Sequence, residues 1–222
     1  MEQVLRHGPV GHDPRVLFVP PLFEEANRMR RTLVLAMRAL ADMGVPSLLP
    51  DLPGQNESLI PTVAVDLARW RAALAETVAA EPGPVMIASM RGGALIDDSV
   101  DAWGWWRLAP VAGANLLRTM LRARVAGDRE AGVASSIDEL IGEAGHKPLL
   151  LAGNLLSPAM IEQLQASVPA EPDPLCSVQL GSGPSDVAGT PLWLRAEPDE
   201  DAAMAASMAG SIFGWMSACG MR

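Results

Sequence analysis

An α/β fold, with a mostly parallel sheet of about six strands flanked by helices, is what the sequence predicts. The first observation is that apolar runs of strand length alternate with longer stretches of helical periodicity, as in successive βαβ units. The second is bulk: 222 residues, 49% apolar and 19% charged, are enough for one domain over 1–222 with a substantial core. The third is continuity, since no internal repeat divides the chain and the Pro- and Glu-rich VPAEPDPL (168–175) reads as a surface connection.

In chain order, RVLFVPP (15–21) reads as a buried strand ended by two prolines. EEANRMRRTLVLAMRALADMG (24–44) sets Leu33, Met37, Leu40 and Met43 at helical spacing, and Gly44 closes the helix. VPSLLPDLPG is a second strand running into a loop, and TVAVDLARWRAALAETVAAEPG a second amphipathic helix with Thr62 as N-cap. PVMIAS is the third strand, and GGALIDDSV the helix that follows it. DAWGWWRLAP (101–110) supplies a fourth strand, and 113–147 read as a small helical insertion or lid. PLLLAGN reads as an edge strand and SPAMIEQLQASV as a helix with Pro158 in its first turn. CSVQLGS and PLWLRAE are the expected last strands, and DEDAAMAASMAGSIFGWMSA the terminal helix.

Charge and composition exclude several functions. A net charge of −9 disfavours nucleic acid and anionic membrane surfaces, which attract basic faces. No apolar leader follows the first charges and no run reaches membrane-spanning length, so a cytoplasmic protein is the simplest expectation. Cys176 and Cys219 lack redox or metal-ligand spacing, and His7, His12 and His146 are too scattered for a metal site. Neither a metal nor a cofactor is expected.

The informative stretch is PVMIASMRGGALID (84–97), a strand that breaks into a sharp turn. A nucleophile elbow needs small residues two before and two after its reactive side chain, as in G-x-S-x-G. Ser89 fails, because Ile87 and Arg91 flank it. Met90 fits, between Ala88 and Gly92, and so does Arg91, between Ser89 and Gly93, but neither side chain is a nucleophile for a carbonyl.

Five segments, VLFVPPLFEEANRMRR, DLPGQNES, SMRGGAL, WWRLAPVAGANLLRTMLRAR and LLLAGNLLSPAM, occur in this order. Together they resemble the exosortase A system-associated hydrolases, particularly the second type, of the α/β-hydrolase superfamily, over residues 15–215. The resemblance implies an α/β-hydrolase fold and an arginine at the nucleophile position, which Arg91 matches. It also implies a tie to bacterial exopolysaccharide and protein-sorting systems, with protein partners from them. DLPGQNES matches that fold's D-x-x-G-x-G-x-S loop, with Asn56 in place of the second glycine and Asp51 and Ser58 read as holding the loop. The triad of this fold ends in a histidine after the last strand. None follows PLWLRAE, and Asp186, near the usual place of the triad acid, has no imidazole to orient.

Ligands of open α/β sheets gather at the carboxyl ends of the strands. The candidates there are the elbow residues Ser89, Met90 and Arg91, with Glu24, Glu25, Asn27 and Arg91 as ligand-binding residues. Arg91 needs a partner, because a guanidinium stays charged. It binds either a small anionic ligand or, more simply, Glu24 or Glu25 in a closed pair. The alternative function is hydrolysis of an acyl ester or thioester by an atypical nucleophile, Ser89 or Cys176, with a carboxylate as base.

Overall fold

The computed structural model describes residues 2–11, 14–183 and 186–220. Its main sheet is built from β1 (Val4–His7), β2 (Arg15–Val19), β3 (Ser47–Pro50), β4 (Val85–Met90), β5 (Trp105–Leu108) and β8 (Leu175–Val178). The order is β1-β3-β2-β4-β5-β8. All neighbours run parallel except β1, which lies antiparallel on β3 with Val4 opposite Pro50 and His7 opposite Ser47. Glu81 fastens this edge by accepting hydrogen bonds from Arg6 on β1 and Arg15 on β2, at 2.7 and 2.8 Å.

Residues of each central strand alternate between two cores. Val16 and Phe18 of β2, with Met86 and Ala88 of β4, face α1 (Glu24–Asp42) and α6 (Ala202–Ala218). Leu17, Val19 and Ile87 face the opposite way. There Trp70 and Leu74 of α2 (Leu67–Ala79), Leu116 and Met120 of α3 (Gly113–Glu130) and Leu164 of α5 (Pro158–Ala166) cover them. Strands covered on both faces read as continuous apolar runs, which is why the sequence marks them. A short α4 (Ile137–Ala144) packs beside α3. The six-stranded, mostly parallel sheet flanked by helices is thus present.

Four elements differ from the sequence reading, each for a local reason. Thr62 does not cap α2; its hydroxyl is donated to the Gly54 carbonyl at 2.9 Å, and Asp66 caps α2 by accepting the Arg69 N–H. The segment after β4 is two short 3₁₀ turns, Arg91–Leu95 and Asp97–Ser99, because Asp97 turns inward to a buried arginine. PLWLRAE is not a strand: Leu192–Leu194 form a 3₁₀ turn, and the Trp193 carbonyl accepts from Arg28 on α1. PLLLAGN does not join the main sheet. It forms a separate hairpin of β6 (Leu149–Leu151) and β7 (Asn154–Leu156), turned by Ala152 and Gly153 at positive φ. The unanticipated β1 takes the sixth place in the main sheet.

Candidate functional site

The central strand β4 delivers Ser89, Met90 and Arg91 to the carboxyl edge of the sheet, and alternation separates them. Met90 is fully buried against the α1–α6 side. Ser89 is also at 0% exposure, and its hydroxyl donates to an Asp97 carboxylate oxygen at 2.6 Å. Arg91 stands at the apex with φ of +52°, a left-handed conformation rare for a long side chain. The flanking pattern explains how the turn tolerates this. A Cβ on Gly93 would lie 2.6 Å from the Pro20 carbonyl oxygen and 2.8 Å from that of Val19. Only glycine lets the turn pass so close to the end of β2. Of the two permitted registers, the backbone takes the one centred on Arg91.

The Arg91 guanidinium is closed in on three sides. Its Nε and one Nη donate to the two carboxylate oxygens of Glu25 at 3.2 and 3.3 Å, and the other Nη donates to the Ala109 carbonyl at 3.3 Å. The Trp193 ring lies over it, 4.8 Å from guanidinium carbon to ring centroid, a cation–π contact. The side chains are 18% and 6% exposed for Arg91 and Glu25. Burial pushes the Glu25 carboxyl above its ordinary value; the charge and hydrogen bonds of Arg91 oppose this, and neighbouring Glu24 adds to it. The β2–α1 loop sets this geometry through Phe23 at φ +59°, which starts α1 so that Glu25 faces inward.

Glu24 takes a different partner, Arg28, at 3.6 Å one helical turn on. Burial raises its carboxyl too, against the charge of Arg28. Asn27 is exposed on α1 and its side chain makes no hydrogen bond among the described residues. The structure therefore brings together Arg91 and Glu25, places the Glu24–Arg28 pair beside them, and leaves Asn27 apart.

Beneath the elbow lies a second polar cluster that the sequence reading missed. Arg107 of β5 donates to both oxygens of Asp97, at 2.9 and 2.6 Å, and to the Ala170 carbonyl at 2.5 Å. Trp105 Nε1 donates to the Asp97 carbonyl at 2.9 Å. Asp97 is at 0% and Arg107 at 2% exposure. Burial raises the Asp97 carboxyl, opposed by the hydrogen bonds from Arg107 and Ser89. An arginine inside the apolar run of β5 was the available clue, since a cation there requires a buried carboxylate.

The Ser89 hydroxyl is directed at a carboxylate already committed to Arg107, so its proton has no free base to leave with. Burial likewise raises the Cys176 thiol, with Cys219 adding to the effect, which opposes formation of the reactive thiolate. His7 sits on the edge strand β1 and His146 is exposed after α4, so neither reaches the elbow; His12 lies outside the described residues. Asp186 accepts from the Gly183 N–H of its own turn. Asp51 holds Arg30 and Asn56, and Ser58 accepts from the backbone of Gly54 and Ile60, so both fasten their loop. Asn56 adopts φ +48° there. No cluster of three potential metal ligands occurs among the described residues. None of their helices is long and apolar enough to cross a membrane.

No protein-family model matches the chain, and a search of curated proteins finds no match. Solved structures do match. Est1E from Butyrivibrio proteoclasticus, in a structure with ferulic acid bound, aligns with a TM-score of 0.56 at 14% identity, over 81% of this chain and 74% of that one. Mouse alpha/beta hydrolase domain-containing protein 10 aligns with a TM-score of 0.51 at 12% identity, over 79% and 71%. Likeness at this level defines the fold: it is that of the α/β-hydrolases.

Proposed function

We propose that this chain is an α/β-hydrolase-fold protein that does not hydrolyse, and that it serves as a binding or accessory protein of a bacterial exopolysaccharide or protein-sorting system. The observation that carries the reading is Arg91 on the elbow apex, held by Glu25 and covered by Trp193. A guanidinium cannot attack a carbonyl, and this one fills the space above the turn where an acyl group would approach. A small anionic ligand reaches Arg91 only by displacing Glu25.

The exosortase-associated type rests on the order of the five segments quoted above, including the arginine in SMRGGAL. Free Cys176 and Cys219 support a reducing, cytoplasmic setting. The rival reading, an acyl ester or thioester hydrolase using Ser89, is opposed by that residue's complete burial and its bond to Asp97.

Intact-mass measurement after exposure to an alkyl fluorophosphonate tests the proposal. It predicts no covalent adduct on the wild-type chain. An adduct that forms on the wild type and is absent from Ser89→Ala would overturn it.

A further inference from the structure

The first two turns of α3 bury Gly113, Leu116, Leu117, Met120 and Leu121. Beyond Leu121 no residue of the helix is fully buried; Arg124, Val125 and Asp128 are half-buried and the rest are exposed. Along one face lie Arg118, Arg122, Val125 and Arg129, at offsets of four, seven and eleven residues, which fall on one side of a helix. The side chains of the three arginines make no hydrogen bond or ion pair among the described residues. Arg124, on the neighbouring side, is by contrast paired with Asp128 at 2.8 Å. Three unmatched guanidiniums on one face of a chain of net charge −9 are a local exception to its electrostatics.

Beside this face runs a groove of about 660 Å³ between α3 and α4, lined by Arg122, Val125, Ala126, Arg129, Glu130 and Ile137. Its floor is apolar and half-buried at Val125 and Ile137. Its α3 wall includes the small, exposed Ala126.

From these observations we propose that the outer half of α3, with the α3–α4 groove, docks an acidic amphipathic helix of a partner protein. The arginines span about 16 Å along the helix axis, too long for one small anion to bridge and right for carboxylates spaced along a facing helix. Apolar side chains of that helix enter the groove over Val125 and Ile137. A bilayer surface is the poorer fit, because the apolar Val125 and Ile137 are half-buried within the groove, where a helix enters and a flat surface does not. The inference extends the accessory role proposed above and gives it a surface. The two fail separately, since hydrolysis is read at the elbow and docking at α3.

The test uses the full chain and a fluorescent, lactam-stapled helical peptide with glutamates at the offsets of the three arginines and leucines on the adjoining face. Anisotropy should show saturable binding that weakens with added salt, and a lysine-for-glutamate peptide should not bind. The double variant R122E/R129E should bind the glutamate peptide at least about tenfold more weakly, with thermal melting unchanged because neither arginine has a partner to lose. Ala126→Glu, at an exposed position lining the groove, should weaken binding while keeping all three arginines. Equal affinity of wild type and R122E/R129E for the glutamate peptide, or no binding by the wild type, overturns the proposal. So does tighter retention on phosphatidylglycerol vesicles than on the peptide, which would assign a lipid surface. Self-association that R122E/R129E abolishes would overturn it too, since it would assign a second copy of this chain.

Discussion

Arg91 carries a charge that no pH change within the range of folded proteins removes, so the carboxylate beside it decides how the elbow behaves. Removing the arginine strands Glu25 at 6% exposure. Arg91→Met should therefore destabilise the fold by about 3–5 kcal/mol near neutral pH, read by urea unfolding. Arg91→Met combined with Glu25→Leu should recover most of that loss, because two apolar groups leave no charge to desolvate. A double variant no more stable than Arg91→Met would show that the pair is not the source of the cost. The pH dependence follows from the direction of the Glu25 shift. Its folded-state pKa is raised by burial above the ordinary 4.5, so the stability it contributes is complete below that value and is lost as pH rises through the raised one. The advantage of wild type over Glu25→Gln should accordingly be largest in acid and shrink toward neutral pH. An advantage that grows with pH would contradict the burial of this carboxyl.

Elements show where sequence reading succeeds and where it stops. Strands β2, β4 and β5 are legible because both faces are covered and their runs are mostly apolar, with Arg107 the exception in β5. Crowding admits only small residues two positions either side of the apex, which leaves the Met90 and Arg91 registers open; the family resemblance points to Arg91. Gly93→Ala should thus lower stability by about 1–3 kcal/mol by forcing Cβ onto two backbone oxygens, and an unchanged urea midpoint would refute the close approach. Asp97, Arg107 and Trp193 were illegible for a different reason. Each acts through a partner outside its own periodicity, as when Asp97 in the turn after β4 meets Arg107 on β5, or Trp193 reaches Arg91 from much later in the chain. A helix pattern in GGALIDDSV gives way because burying Asp97 against Arg107 outweighs local propensity. Asp97→Asn should destabilise by about 3–5 kcal/mol, since it leaves Arg107 buried without its counter-charge. A loss below about 1 kcal/mol in chemical denaturation would mean water reaches that arginine.

At the scale of the molecule, the fold places its site where open α/β sheets place ligands, at the carboxyl edge of the central strands. What stands there is an ion pair under an indole ring, with the nearest hydroxyl turned into the core. Steady-state release of p-nitrophenolate from short-chain p-nitrophenyl esters measures the consequence directly. Purified wild type and Ser89→Ala should both release it at the same rate as buffer. Turnover by the wild type that disappears in Ser89→Ala would contradict it.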